Sequence, residues 1–469
     1  MSTDFFILMK AELGLVAVLL ILLFIKIRDG INTNNSLLRI ANALLAVNCI
    51  AGFFFNESGS LFGDMYHTND LIALQKNFLN FFTLIISLQA WDYLKPHRHL
   101  HEFYMLICAS LLGMHFMLSS GNMLMFYIGL ELASLPIAVL VNFDYTKRRS
   151  SEAAVKMIFL SAFASAILLF GISLLYGAFG SLSFYDLAAA SQAVTPLQIM
   201  ALVFVFAGFA FKMSVVPFHF WTADVYEGAP VVITSYLSVI SKGAMVFVFI
   251  SVLIPLFFHL PELWKPMMTV LIVLTITVGN LFALRQNNLK RFLAFSSIAQ
   301  MGYVLFGLLT ATHDGVSSAV YFFIVYAFSN LGAFGVVALI SLHAEKENLE
   351  DYKGLHKNNP ILAWALGISL FSLAGVPPTA GFFGKLFLLS SGSSDGDFYL
   401  LLFASLNMVV SLYYYLRIVK AIFVDQNEQP IPRLESVISS KIAIAICLAG
   451  TIFTGFFSIM YAYIDSLIK

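Results

Sequence analysis

Long apolar runs separated by short polar segments cover nearly the whole chain. Each run is about as long as the roughly 20 residues that a helix needs to cross a bilayer. Fourteen runs can be counted, at about 5–25, 37–55, 71–91, 102–119, 121–142, 153–177, 197–216, 230–257, 266–284, 292–311, 315–342, 361–391, 398–423 and 439–465. The longer connections carry the Asp, Asn, Gly and Pro residues that are typical of turns. The pattern predicts an all-α polytopic membrane protein with about fourteen transmembrane helices.

Composition supports this class and argues against several others. Of 469 residues, 60% are hydrophobic and 11% are charged, against about 25% charged in a soluble domain. Basic and acidic residues balance at 26 each, so nothing favours a nucleic-acid partner. Cys49, Cys108 and Cys447 lie apart in apolar runs, so we expect neither a metal site nor a disulfide. The first run leads into Lys26 and Arg28 without a small-residue cleavage pattern, which predicts a retained helix.

The basic residues also predict an orientation in the membrane. Eighteen fall in the odd-numbered connections, whereas the even-numbered connections are assigned only Lys76 and Lys265. Lys and Arg concentrate in cytoplasmic loops. We therefore expect the odd-numbered connections in the cytoplasm and both chain termini on the non-cytoplasmic side.

Two of the apolar runs are interrupted in similar ways. In the seventh run Lys212 is followed by Pro217, and in the twelfth Gly375 and Pro377 precede Lys385. The two runs lie five helices apart and would cross the membrane in opposite directions. Broken helices at corresponding positions of inverted repeats indicate an ion pathway near the bilayer midplane. The open alternative is that both are ordinary proline interruptions, which membrane helices tolerate.

Five charged residues lie inside apolar runs: Glu131, Lys156, Lys212, Lys242 and Lys385. A central charge costs about 2.5–3.5 kcal/mol on insertion scales and is usually functional. Burial favours the neutral form of a lysine and a nearby carboxylate favours the charged form, so such a lysine can load and release a proton. Glu131 is the only acid that we place deep in a helix, and Lys212 or Lys156 is its expected partner. A structural ion pair is the alternative.

Several further polar residues have two open interpretations. Lys156 lies near a predicted cytoplasmic end, so its ammonium group could instead extend to the membrane interface. His219 follows the first interrupted run and could pass protons between lysines or cap a helix. Two polar triplets with i, i+4, i+7 spacing each share one helix face, and they could line water or bond neighbouring helices. The triplets are Ser296, Gln300 and Tyr303, and Asn407, Ser411 and Tyr414.

Four stretches connect the chain to a known family. They are residues 129–132, 211–230, 290–303 and 372–385. In these motifs, and in their order along nearly the whole chain, the sequence resembles the subunit N family of the proton-pumping NADH–quinone oxidoreductase, respiratory complex I. Related M-type and antiporter subunits usually carry a glutamate where this chain has Lys385, which favours the N-type family.

This resemblance implies a fold and a set of site residues. The implied fold is fourteen transmembrane helices with two inverted five-helix repeats, each containing a broken helix. The corresponding division is an N-terminal three-helix segment at 1–101, a first repeat at 102–257, a second, inverted repeat at 258–423, and a C-terminal helix at 424–469. The implied proton carriers are Glu131 and Lys212 as the input pair, Lys242 as the central lysine, Lys385 as the output residue, and Lys156 and His219 as accessories.

The resemblance also implies a function in the cell inner (plasma) membrane. The chain would translocate protons as part of an NADH:quinone reductase, with no cofactor, metal or redox centre of its own. NADH, FMN, iron–sulfur clusters and quinone would belong to partner subunits, and its partners would be other membrane-arm subunits and lipid. Two alternatives are a subunit of a multi-subunit cation/proton antiporter and a structural scaffold with inert ion pairs.

Overall fold

A computed structural model describes residues 3–28, 33–54, 56–189, 195–257, 261–394 and 396–468. Within these ranges the chain is mostly helical, as predicted. The described part contains one small sheet, in which β1 (Gly59–Leu61) pairs antiparallel with β2 (Tyr66–Thr68), so that Ser60 lies opposite His67.

The α-helices vary widely in length. In chain order they are α1 Thr3–Leu8, α2 Lys10–Ile27, α3 Asn34–Ala51, α4 Asp70–Gln89, α5 Trp91–Leu94, α6 Leu100–Leu118, α7 Met123–Val141, α8 Arg148–Phe179, α9 Phe184–Ala189, α10 Pro196–Met213, α11 Phe220–Gly228, α12 Val231–Tyr236, α13 Lys242–Val248, α14 Ile254–Phe257, α15 Pro261–Leu284, α16 Leu289–Gly307, α17 His313–Ala344, α18 Leu355–Asn358, α19 Pro360–Ala374, α20 Ala380–Gly392, α21 Phe398–Phe423, α22 Ile438–Phe456 and α23 Ile459–Leu467. Two π-helical segments, Leu237–Ser241 and Phe249–Leu253, join α12, α13 and α14 into one continuous helix.

Ten helical segments in the described ranges are long and apolar enough to cross a membrane. They are α4, α6, α7, α8, α10, the continuous helix from α12 to α14, α15, α17, α21 and α22. This confirms a multi-pass helical membrane protein. Helix α19 is apolar but has 15 residues, because the twelfth predicted run is divided into α19 and α20. The count of fourteen and the inverted repeats stay predictions.

The first of two compact units comprises Met1–Leu84, Leu94–Met213 and Ile240–Pro261. Within it α6 packs against α2 and α7, and α8 packs against α10. Where α6 and α7 meet, a Cβ atom on Gly129 would lie 2.9 Å from the Gly113 carbonyl oxygen. Small residues allow membrane helices to approach this closely. The crossing therefore fixes the position of α7, the helix that carries Glu131.

The second unit comprises Ile85–Tyr93, Ser214–Val239 and Glu262–Lys469. Its central helix is α17, which packs against α12, α16, α19, α20, α22 and α23. In the most apolar 18-residue stretch of α17, 94% of the residues are buried. A helix that is hydrophobic on all sides is expected at the centre of a bundle.

Two charged residues lie in places that the sequence analysis did not anticipate. Lys76, which we assigned to a connection, lies in the second turn of α4 and is 2% exposed. Glu12 lies in α2 and is 1% exposed. Glu131 is therefore not the only acid on a helix that is removed from solvent, although Glu12 lies in the first turn of its helix. Glu12 and Lys76 are buried together because their opposite charges meet, 64 residues apart in sequence.

Candidate functional site

Lys212 lies in the last turn of α10, directly before the helix breaks. The helix ends at Met213 because Ser214 takes a left-handed conformation with φ 62°, and Pro217 has no N–H to continue the ladder. The Lys212 Nζ atom donates to Ser134 Oγ and to Ser161 Oγ, each at 2.7 Å. Two helices, α7 and α8, thus supply neutral oxygen acceptors to this ammonium group.

Glu131 lies on α7, three residues before Ser134 and therefore on the same face of the helix. The negative charge of Glu131 is close enough to Lys212 to favour the charged form of that lysine. Its Oε1 atom is buried and has no hydrogen-bond partner in the described part of the chain. The expected input pair is thus placed in one region of the first unit, without a direct contact between carboxylate and ammonium.

Lys156 occupies a more exposed place on α8. Its Nζ atom lies 2.9 Å from Glu152 Oε1, one turn earlier on the same helix, and the two side chains are 41% and 58% exposed. Ser161, five residues later, is the α8 residue that reaches Lys212.

Lys242 begins α13, between the two π-helical segments, and is 1% exposed. Within the first unit α13 packs against α6 and against α10, the helix that carries Lys212. A π-helical turn accommodates an extra residue, and such turns are frequent at functional sites. Apolar periodicity does not reveal this local geometry.

His219 lies in the second unit at the N-cap position of α11 and is 7% exposed. Its side chain makes no capping hydrogen bond to that helix, and its ring stacks on Phe220 with centroids 4.6 Å apart. The geometry therefore does not show the capping role that the sequence left open.

Lys385 lies on α20, after the second break. Helix α19 ends where Gly375 adopts φ 84°, a conformation that glycine allows. The Lys385 Nζ atom donates to the carbonyl oxygens of Leu373 at 2.8 Å and Ala374 at 3.1 Å. These are among the last carbonyls of α19, which lack intrahelical partners and carry the negative end of the helix dipole. Lys212 lies before the break that ends α10, whereas Lys385 lies after the break between α19 and α20.

The first polar triplet reaches the Lys385 site. Gln300 Nε2 donates to the Leu373 carbonyl oxygen at 3.0 Å, which is the same acceptor that Lys385 uses, and to the Tyr415 hydroxyl at 3.2 Å. The Tyr415 hydroxyl is also hydrogen-bonded to Ser296. The Lys385 Nζ atom lies 5.4 Å from the centroid of the Tyr303 ring. A polar network therefore extends from Lys385 through the second unit.

The second polar triplet forms a neighbouring part of the same unit. Tyr414 donates to Asn280 Oδ1 at 3.0 Å, and Asn280 Nδ2 contacts Asn407 Oδ1 at 3.2 Å. Neither Asn280 nor Tyr415 belongs to the polar triplets predicted from the sequence. A polar residue at 280 inside an apolar run was the available signal, and Tyr415 directly follows a residue of the triplet.

The chain matches the family described as "NADH:quinone oxidoreductase/Mrp antiporter, TM" over residues 120–411. Among curated proteins, NADH-quinone oxidoreductase subunit N of Phocaeicola vulgatus is 44% identical over 457 residues, which cover 97% of this chain and 96% of that protein.

Two solved structures have a similar fold. A chain of respiratory complex I from Thermus thermophilus with bound aureothin matches with a TM-score of 0.81 and 28% identity, covering 95% of this chain and 97% of that one. A chain of the Mrp complex from a Dietzia species matches with a TM-score of 0.87 and 19% identity, covering 98% and 97%. At that identity the second likeness is one of fold alone.

Proposed function

Because this chain belongs to the NADH-quinone oxidoreductase subunit N family, we propose that it is a proton-translocating subunit of the membrane arm of that complex. Quinone reduction takes place in partner subunits, which hold the NADH, FMN and iron–sulfur chemistry. Protonation then spreads through this chain along a relay of titratable groups, some buried and some partly buried. These are Glu131, Lys212, Lys242 and Lys385, with Lys156 and His219 as accessories.

The observation that carries this proposal is the chemistry around Lys212 and Lys385. Both ammonium groups are held by neutral oxygens, namely two serine hydroxyls and two backbone carbonyls. Neither lies within 4.0 Å of a carboxylate in the described residues. Direct contact with a carboxylate would favour the ammonium form until water or another acceptor takes up the proton. Neutral partners leave both the ammonium and the amine accessible, as a relay requires.

The energy for transport has to come from outside this chain. Moving one charge against 100 mV costs about 2.3 kcal/mol. Changing the charge of one relay group alters the electrostatic energy of the next, so a charge change that begins in a partner subunit can propagate. In the first unit Glu131 acts on Lys212 in this way, and Lys242 lies on a helix that packs against the helix of Lys212.

Replacement of Lys242 or Lys385 by Met tests the proposal. Each change removes the titratable amine and leaves an unbranched apolar side chain of similar length. In assembled complex within membrane vesicles, we expect each variant to lose most proton translocation and the coupled quinone reductase rate. Lys26→Met is the matched control, because Lys26 is 44% exposed in a surface ion pair with Glu102. If either relay variant pumps as fast as this control, the relay is wrong.

The alternative of a cation/proton antiporter is tested by the partners of the chain. Purification of the intact membrane assembly through a tag on this chain should recover iron–sulfur and flavin subunits. Recovery of small membrane subunits without any redox protein would instead support the antiporter.

A further inference from the structure

A second group of buried titratable residues lies in the first unit, apart from the proposed relay. Lys76 Nζ lies 2.5 Å from Glu12 Oε1. The Tyr66 hydroxyl contacts Glu12 Oε2 at 3.0 Å and Lys76 Nζ at 3.0 Å. His115 on α6 is 0% exposed and in electrostatic range of Glu12. Four elements, α2, β2, α4 and α6, thus place four titratable side chains in one cluster.

Tyr66 acts in this cluster as a fixed hydrogen-bond donor. Burial, together with the Glu12 carboxylate, raises the pKa of Tyr66 above its usual value. Its hydroxyl therefore stays protonated and has two acceptors within reach, Glu12 Oε2 at 3.0 Å and the Leu8 carbonyl oxygen at 2.9 Å. The other carboxylate oxygen of Glu12 accepts from Lys76.

The cluster adjoins a partly open cavity. The cavity has a volume of about 20 Å³, which is room for about one water molecule, and Lys76 forms part of its wall. Asn77 and Asn80, which are 2% and 3% exposed, also line it. Both side-chain polar atoms of Asn77 and the Oδ1 atom of Asn80 have no hydrogen-bond partner among the described residues. Buried polar atoms of this kind normally bond to water, so the cavity brings water to Lys76. Lys10 and Glu57 are the charged residues at its rim.

The position of the cluster connects it to one side of the membrane and to the relay helices. Glu12 and Lys76 lie in the first two turns of α2 and α4, at the end where the β1–β2 hairpin lies. The distribution of basic residues predicts that this end faces away from the cytoplasm. Helix α6 carries His115 and packs against α2, against α7 and against α13, and these last two helices carry Glu131 and Lys242.

We propose that Glu12 and Lys76 form a further proton-exchange site, at which protons pass between the interior of the subunit and water on the non-cytoplasmic side. This inference rests on the proposed function. It assigns proton release to the N-terminal three-helix segment, to which neither the sequence motifs nor the resemblance gives a role.

The exchange is a balanced sequence of proton transfers. Lys76, which lines the cavity, gives one proton from its ammonium group to cavity water, which forms hydronium and leaves a neutral amine. The Glu12 carboxylate beside it keeps its negative charge and favours renewed protonation of this amine. The Lys76 amine takes up the next proton from within the subunit, which restores the ion pair.

Lys76→Arg separates this role from a structural one. A guanidinium keeps the positive charge and the ion pair with Glu12 but does not release its proton. If the pair only braces α2 against α4, Lys76→Arg should behave like wild type. If the pair exchanges protons, Lys76→Arg should lower proton translocation about a hundredfold, at the lower end of the usual contribution of a proton-transfer group.

The assay uses the assembled complex in proteoliposomes and measures complex content, quinone reduction and protons translocated per quinone. Glu12→Gln should match Lys76→Arg. Glu102→Gln, which removes the exposed pair with Lys26 in the same unit, is the control and should translocate normally. Because Glu12→Gln could impair assembly by leaving Lys76 unpaired, the charge-preserving Lys76→Arg variant decides the result.

Lys242→Met serves as the reference that distinguishes the two proposals. If Lys76→Arg translocates like the Glu102→Gln control while Lys242→Met does not, the exchange site is refuted and the relay stands. If Lys242→Met also translocates at the full rate, the proposed function itself fails, and this inference fails with it. Loss in both, with normal complex content, supports both.

Discussion

The two serines that accept hydrogen bonds from Lys212 offer a sharp test of the relay, because replacing them changes the surroundings of the ammonium group and leaves the lysine itself in place. Ser134 and Ser161 each accept a hydrogen bond from the Lys212 Nζ atom at 2.7 Å. A hydrogen bond to a charged group contributes about 1.5–3 kcal/mol. Replacing either serine by Ala therefore disfavours charged Lys212 by roughly 10- to 100-fold, since 1.36 kcal/mol corresponds to a factor of ten.

We expect each single variant to slow proton translocation by about tenfold, and the double variant to slow it further, as hydrogen bonds of this strength imply. Translocation and quinone reduction are measured together in membrane vesicles with equal complex content. Ser134→Thr keeps a hydroxyl and should retain most activity. Ser165→Ala is the matched control on α8, because the buried Ser165 hydroxyl has no hydrogen-bond partner among the described residues. If the double variant pumps as fast as Ser165→Ala, the two serine hydroxyls have no role in proton transfer at Lys212.

Two further predictions concern stability. Gly129→Ala would place a Cβ atom 2.8 Å from the Met117 backbone nitrogen, and overpacking of this kind costs about 1–3 kcal/mol. The unfolding temperature of the complex should fall, whereas Gly177→Ala, whose Cβ atom meets nothing within 4 Å, should leave it unchanged. Burial works to raise the pKa of Glu347, but Lys290 and nearby donors lower it overall. A lowered carboxyl pKa stabilises the fold above the unfolded pKa of about 4.3 and loses that contribution as the pH falls through the folded pKa. The unfolding temperature should therefore fall more steeply below pH 4.5 in wild type than in Glu347→Gln.

The class of the fold could be predicted because it depends on local pattern. Apolar runs of spanning length leave few structures other than helices in a bilayer, and the structure confirms a multi-pass helical protein. The two breaks could also be located, because Pro217, Gly375 and Pro377 each act on their own stretch of backbone. The π-helical segments on either side of α13 carry no such residue signal, and the sequence analysis did not find them.

The candidate site was predictable in its charged residues but not in their partners. A lysine inside an apolar run is visible in a single stretch of sequence, which is why Lys212, Lys242 and Lys385 were found. The partners of Lys212 lie on two other helices, and those of Lys385 are backbone carbonyls that any residue type could supply. Glu12 was overlooked because its buried partner is far away in the sequence.

The sequence by itself determined the membrane class, the breaks in two helices and the cost of placing charges within the membrane. These depend on the transfer of each segment from water to lipid and on the local backbone, both properties of neighbouring residues. Only the tertiary structure decided that Lys212 is held by hydroxyls, Lys385 by the end of a helix, and Lys76 by Glu12 beside a cavity. Such contacts form between segments distant along the chain, and the stability of a buried charge depends on what surrounds it in three dimensions.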